Sequence, residues 1–287
     1  VRLDDALAQA ATHLANQGVE SPRFDAEILL AHALGLNRAA VLSRPEQELT
    51  PKQLTLYRDL IARRGDREPL AYVVGYREFF GLVFVVDHRA LIPRPETELL
   101  VEHALEIAKH KTAPLRIADV GAGSGAIAVT LAVRLPGATV HALDHSADAL
   151  KVVAENARRH DVSDRVHCLH SDLLSALTGP VDLITANLPY VTTGEWQQLV
   201  PEIKYHEPRS ALDGGPDGLA LIRRLLETAE PCLRPSGALL LEIGAGQGVA
   251  ATSLARENLP LARVQLVKDY AGLDRLVIVD TGAGDPA

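Results

Sequence analysis

Residues 186–191, ANLPYV, close a largely aliphatic and β-branched run, Val181–Thr185, with an amide, a proline and a phenol. An asparagine side chain offers one carbonyl acceptor and one NH₂ donor. Leu188 precedes Pro189, which biases it towards an extended backbone and so fixes the direction of its carbonyl. The Asn187 side-chain oxygen and the Leu188 backbone oxygen then form a pair of acceptors. Such a pair matches an –NH₂ group, whose two hydrogens lie in one plane. Tyr190 can stack on the planar amide or base that carries this group. Read alone, the same residues also describe a strand that ends in a proline turn with a core tyrosine.

The second constellation is Asp119-Val120-Gly121-Ala122-Gly123-Ser124-Gly125, placed where an apolar strand meets a helix. Glycines let a backbone turn tightly and approach a ligand closely. Asp144 ends the next strand, at a spacing that suits a carboxylate binding ribose hydroxyls, and Asp172 closes the third strand in the same way. Asp119 either supports the loop or contacts a cofactor amino group. Gly121, Gly123 and Ala126 also satisfy a relaxed G-x-G-x-x-G/A fingerprint. The loop therefore points to a nucleoside cofactor and leaves its identity open between a nicotinamide dinucleotide and S-adenosylmethionine. Gly244-Ala245-Gly246-Gln247-Gly248 follows a strand too, but no acidic strand end follows at the right distance, so it reads as a turn. His141 and His145 straddle a strand end and share no helical face, so no metal site is expected there.

The elements that must position these residues fall into three parts. Residues 1–70 read as a small all-helical domain for substrate docking. Leu3, Leu7, Ala10 and Leu14 recur at helical spacing, and Ser21-Pro22 and Thr50-Pro51 look like capped helix starts. Residues 71–90 are aromatic and β-branched, with Gly75 and Gly81 as punctuation, and read as a β-hairpin linker. Residues 91–287 alternate strand and helix, which predicts an α/β fold: a mostly parallel sheet covered on both faces. The last two strands are joined only by Tyr270–Asp274, too short for a parallel crossover, so the final strand should run antiparallel. The glycine loop, Asp144, Asp172 and Asn187 should all converge on the carboxyl edge of that sheet. The closing TGAGDPA reads as a frayed end.

Composition excludes several classes. No apolar run approaches the ~18 residues of a membrane span. The opening VRLDDALAQA carries acidic residues and no long apolar core, so no secretory leader is expected. Two distant cysteines, Cys168 and Cys232, fit a reducing cytosol, and a cytoplasmic location is expected. The net charge of −8 shows no basic stripe, so no direct nucleic-acid binding is expected.

Asn187-Leu188-Pro189-Tyr190 resembles the N-P-P-Y motif of methyltransferases that act on amino and amide nitrogens. Leu91 to Glu98, LIPRPETE, resembles the segment before the catalytic domain in the PrmC/HemK family, the release-factor glutamine N5-methyltransferases. Glu207 to Leu219, EPRSALDGGPDGL, and Lys268 to Val279, KDYAGLDRLVIV, are similar to that family as well, and the four motifs stand in the family's order. The resemblance implies a class I, Rossmann-like methyltransferase sheet with S-adenosylmethionine as cofactor. It implies methylation of the glutamine in the Gly-Gly-Gln motif of class-I peptide chain release factors. It implies that Gly121, Ala122, Gly123, Ser124, Gly125, Asp144, Asp172, Leu173 and Asn187 bind the cofactor. Asn187, Leu188, Pro189 and Tyr190 would be catalytic and would bind substrate together with Arg94, and Arg94 and Glu98 would border the site. Read from position alone, Thr97 could instead cap the helix that follows, with Glu98 favoured by its N-terminal dipole. Two positions depart from the family pattern. Leu188 stands where proline is usual, although the carbonyl survives, and Leu173 offers an apolar wall in place of an aromatic ring. Rival readings are an adenine-N6 methyltransferase of DNA or RNA, an NAD-linked oxidoreductase, and a silent cofactor-binding protein.

Overall fold

The computed structural model describes residues 1–112 and 114–282. The expectation of a frayed C-terminus therefore concerns, for residues 283–287, positions outside the described residues. The chain divides into two compact units: Val1–Tyr76 with Val200–His206, and Arg77–Leu199 with Glu207–Ala287.

The first unit is helical: Leu3–Asn16, Pro22–Leu34, Arg38–Leu42, Pro51–Gly65 and Leu70–Val74. Leu3, Leu7, Ala10 and Leu14 form the buried stripe that their spacing predicts. Thr50 caps its helix in a reciprocal box with Gln53, whereas Ser21 makes no side-chain capping bond. Tyr72–Val74, expected in the hairpin, is helical instead and is closed by Gly75 at φ 83. An ion cluster ties Val200–His206 to this unit. Arg64 pairs with Asp25 at 2.8 Å and with Glu202 at 3.0 Å, and Arg67 pairs with Glu202 at 2.6 Å.

The hairpin consists of β1 (Tyr76–Phe79) and β2 (Leu82–Val85). Its turn residues Phe80 and Gly81 both have positive φ, as a two-residue hairpin turn that follows strand twist requires. Seven further strands make one sheet: β3 (Arg116–Val120), β4 (Thr139–Asp144), β5 (Val166–His170), β6 (Val181–Ala186), β7 (Leu233–Glu242), β8 (Arg263–Lys268) and β9 (Asp274–Asp280). The order is β5-β4-β3-β6-β7-β9-β8. The pairs from β5 through β7 are parallel, and β9 runs antiparallel to both β7 and β8. The short link before β9 thus gave the direction of the final strand correctly.

β3 and β6 are adjacent, and the chain winds away from them in opposite directions, so a crevice opens at their carboxyl ends. Both strands are almost wholly buried, as strands covered on two faces must be. β7 is also buried from Gly237 to its end, and there it includes one charged side chain, Glu242.

Candidate active site

The crevice is a cavity of about 750 Å³. That size lies in the range of small-molecule and cofactor sites. Of the residues expected at a cofactor, Gly121, Gly123, Asp144, Asp172, Leu173 and Asn187 line it; Ala122, Ser124 and Gly125 do not. Ala122 and Ser124 are buried. Gly125 is required by packing: a Cβ there would lie 3.1 Å from the Val153 side chain. Gly121, Gly123 and Gly125 all have positive φ, so the turn after β3 is one that side chains resist.

The loop is held by its own neighbours. Gly121 and Ala122 both donate their amides to the Leu143 carbonyl, at 2.8 and 3.0 Å. Asp144 accepts from the Gly123 amide at 2.9 Å and from the Ser146 amide at 2.8 Å. A carboxylate has about four lone-pair positions, so Asp144 retains acceptor capacity at the cavity edge. Asp119 does not line the cavity. It accepts from the Thr185 hydroxyl at 2.9 Å and the Ala128 amide at 3.1 Å, and burial pushes its carboxyl up to about 7. Those bonds make it a support that ties β3 to β6 and to helix Ala126–Arg134. Asn156, which the sequence reading passed over, is fully buried and donates to the Ser124 and Val85 carbonyls, joining the loop to the hairpin.

Asp172 lies at the cavity but is exposed and pairs with Arg224 at 2.7 Å. Arg94, expected at the substrate, does not line the cavity. Its guanidinium sits 2.5 Å from Glu207, whose other oxygen accepts from the Ile92 amide at 3.1 Å. Arg94 thus ties LIPRPETE to EPRSALDGG. Thr97 does not cap helix Glu98–Lys109, because its own backbone is helical (φ −67, ψ −19) and its side chain makes no capping bond. Its hydroxyl instead accepts from the Asn187 amide nitrogen at 3.0 Å. Glu98 accepts from the Phe80 amide at 2.8 Å and so anchors the hairpin turn.

The corner after β6 is the most constrained part of the site. Leu188 is buried against the loop: a Cβ on Gly121 would lie 3.0 Å from its side chain. Val191 donates to the Leu212 carbonyl at 3.0 Å and accepts from the Gly214 amide at 2.8 Å. A Cβ on Gly214 would lie 2.4 Å from the Pro189 carbonyl oxygen, and one on Gly218 2.2 Å from that of Tyr190. The glycines of GGPDG are thus needed where one backbone presses on another. Gln247 donates to the Tyr190 carbonyl at 2.9 Å, so the second glycine cluster is a turn that buttresses the corner.

Tyr190 departs from expectation, because its ring does not line the cavity. It packs beside Gly244, and its hydroxyl points to Glu242 at 3.5 Å. Burial raises its phenol to about 12. Tyr190 is therefore neutral near pH 7 and is no base. Two acceptors remain. Asn187 spends its nitrogen on Thr97 and keeps its oxygen, and among the described residues no donor reaches the Leu188 carbonyl. Glu242 was missed entirely. Its signal was a single charge within ALLLEIG, an otherwise apolar strand.

The strand order, the glycine turn after the first sheet strand and the antiparallel β9 define a class I methyltransferase fold. A methyltransferase from Pyrococcus furiosus shares that fold at TM-score 0.52 and 17% identity, over 71% of this chain and 91% of that one. Two family profiles match: the PrmC N-terminal domain over residues 5–75, and the Methyltransferase small domain over residues 95–215. The release factor glutamine methyltransferase of Moorella thermoacetica is 45% identical over 274 residues, covering 95% of this chain and 96% of that one. That of Nitratidesulfovibrio vulgaris is 41% identical over 278 residues, covering 96% and 94%. The chain belongs to the release factor glutamine methyltransferase family.

Proposed function

We propose that the chain transfers a methyl group from S-adenosylmethionine to the side-chain nitrogen of the glutamine in the Gly-Gly-Gln motif of class-I peptide chain release factors. The observation that carries this reading is the pair of unspent acceptors, the Asn187 side-chain oxygen and the Leu188 carbonyl, at the cavity beside the glycine turn. The cavity fits the cofactor: it has the volume, a turn that faces it with the side-chain-free Gly121 and Gly123, the Asp144 carboxylate and the apolar Leu173 wall. Gly121, Gly123, Asp144 and Leu173 would hold it. When bound, S-adenosylmethionine supplies an electrophilic methyl on a sulfonium.

A carboxamide nitrogen is a weak nucleophile because its lone pair is delocalised into the carbonyl. Asn187 and Leu188 answer that weakness by accepting the two amide hydrogens. They orient the nitrogen and stabilise the positive charge that grows on it as its new bond forms. No strong base is required, since the proton can leave after transfer. Pro189 and the pressed backbone of Gly214 keep the Leu188 carbonyl in place. Arg94 and Tyr190 act behind the site, through Glu207 and Glu242. A translation factor as substrate places the reaction in the cytoplasm. Among the described residues no helix is long and apolar enough to cross a membrane.

The test is label transfer from methyl-labelled S-adenosylmethionine to a purified class-I release factor. Label should reach the factor and disappear when the Gly-Gly-Gln glutamine is changed to alanine. Label that is absent from the wild-type factor, or that persists on the alanine partner, would overturn the assignment. Label on an adenine-containing oligonucleotide instead would favour the exocyclic-amine alternative, which presents the same –NH₂ geometry.

A further inference from the structure

We infer that Gln247 is a positioning residue for the methyl transfer: its side-chain amide ties the Tyr190 carbonyl to the end of β7 and so holds the Leu188 acceptor in register. The inference rests on the proposed function and names the group that braces its second acceptor.

The turn from Gly244 to Gln247 is closed on itself. The Gln247 backbone amide donates to the Gly244 carbonyl at 2.9 Å, and the Gln247 side-chain oxygen accepts from the Gly244 amide, also at 2.9 Å. Gln247 stands just before helix Gly248–Asn258, yet its side chain makes no capping bond there. The side-chain nitrogen reaches across to the corner after β6 instead. It donates to the Tyr190 carbonyl at 2.9 Å and, more weakly, to the Asp217 carbonyl at 3.4 Å. One side chain therefore joins three segments: the end of β7, the ANLPYV corner and the GGPDG loop.

Its orientation is dictated by its partners. A backbone N–H only donates and a backbone C=O only accepts. The Gln247 oxygen must face Gly244 and its nitrogen must face Tyr190, since the flipped amide would lose both bonds. Gly218 belongs to the same arrangement, because a Cβ there would press on both the Tyr190 carbonyl oxygen and the Gln247 side-chain nitrogen.

The corner needs this brace. Leu212 and Gly214 hold the backbone of Val191, but among the described residues no backbone amide donates to the Tyr190 carbonyl. Gln247 supplies that donor. Between the Tyr190 carbonyl and the Leu188 oxygen stands Pro189, whose ring locks φ. With so few soft torsions between them, a shift of the Tyr190 carbonyl is passed on to the Leu188 oxygen. Misplacing a reacting group by about 1 Å can cost about 10²-fold in rate.

The test compares Gln247→Met and Gln247→Ala in the full chain, with S-adenosylmethionine and a class-I release factor. Methionine fills nearly the same space but cannot donate, whereas alanine leaves the space open. Both variants should lower kcat by about tenfold or more, counted per site that binds S-adenosylmethionine in calorimetry. Gln247 does not line the cavity, so cofactor Kd should stay within about threefold of wild type, and so should KM for the release factor. A role confined to packing would lower the unfolding midpoint and leave kcat per binding site unchanged. Wild-type kcat in Gln247→Met, whatever the rate of the alanine variant, would overturn the inference. So would a loss that appears in cofactor Kd and not in kcat. A slow Asn187→Ala beside a normal Gln247→Met would overturn only this inference. A normal Asn187→Ala would overturn the parent reading as well.

Discussion

Replacing Glu242 with glutamine should stabilise the methyltransferase unit at high pH. The carboxyl of Glu242 is raised from 4.5 to about 7, chiefly by burial. Its folded-state value lies above its unfolded one, so between those two values the unfolded chain has released a proton that the folded chain keeps. Stability is therefore lost as pH rises through this window. The rise corresponds to about 3 kcal/mol once both states are fully ionised, most of which falls between about pH 5 and about pH 8. Glutamine at 242 does not titrate, so its stability relative to wild type should climb by about that amount between the two pH values. The assay is denaturant unfolding of both proteins at each pH. It is followed by the fluorescence of Trp196, the only tryptophan, which lies in the methyltransferase unit. A difference that does not change with pH would refute the reasoning. So would a relative loss for glutamine at high pH, because Glu242 would then be a stabilising ion-pair partner.

Two further substitutions test the packing behind the cavity. Gly214→Ala sets a methyl 2.4 Å from the Pro189 carbonyl oxygen and 2.8 Å from that of Gly218. With backbone on both sides it should cost about 1–3 kcal/mol or more by overpacking, read as a lower unfolding midpoint, and should cut turnover by shifting the Leu188 carbonyl. Arg94→Ala leaves the Glu207 carboxylate, 1% exposed, with only the Ile92 amide. That should destabilise by about 3–5 kcal/mol, and adding Glu207→Gln should restore part of the loss in chemical denaturation.

Much of the fold could be read from the chain because its signals are local. β3, β4 and β6 are apolar runs ended by glycine, aspartate or asparagine, and β9 is turned round by a link too short to cross over. The helical stripe of Leu3 to Leu14 needs only its own periodicity. Errors came where a distant partner outweighed a local signal. Thr97 precedes an apolar helix and looks like a cap, yet Asn187, 90 residues on, claims its hydroxyl. Arg94 reads as a substrate contact, but Glu207 holds it and it does not line the cavity. Tyr72–Val74 has strand-forming residues and is helical, closed by the left-handed Gly75. Tyr190 turns to Glu242 across the sheet edge, a contact that no spacing along the chain could reveal. That Gly121, Gly123, Asp144 and Asn187 meet at one cavity was legible, since the topology of a parallel sheet brings such strand ends together.

The central claim is that two oxygens beside the cavity grip a carboxamide and aim its nitrogen. Single-turnover methyl transfer to a release factor, with Asn187→Ala against wild type at saturating cofactor, tests it most directly. The account predicts a rate lower by roughly 10²–10³, as for loss of one preorganised polar contact worth about 3–4 kcal/mol, with cofactor affinity far less affected. Transfer at the wild-type rate would contradict it.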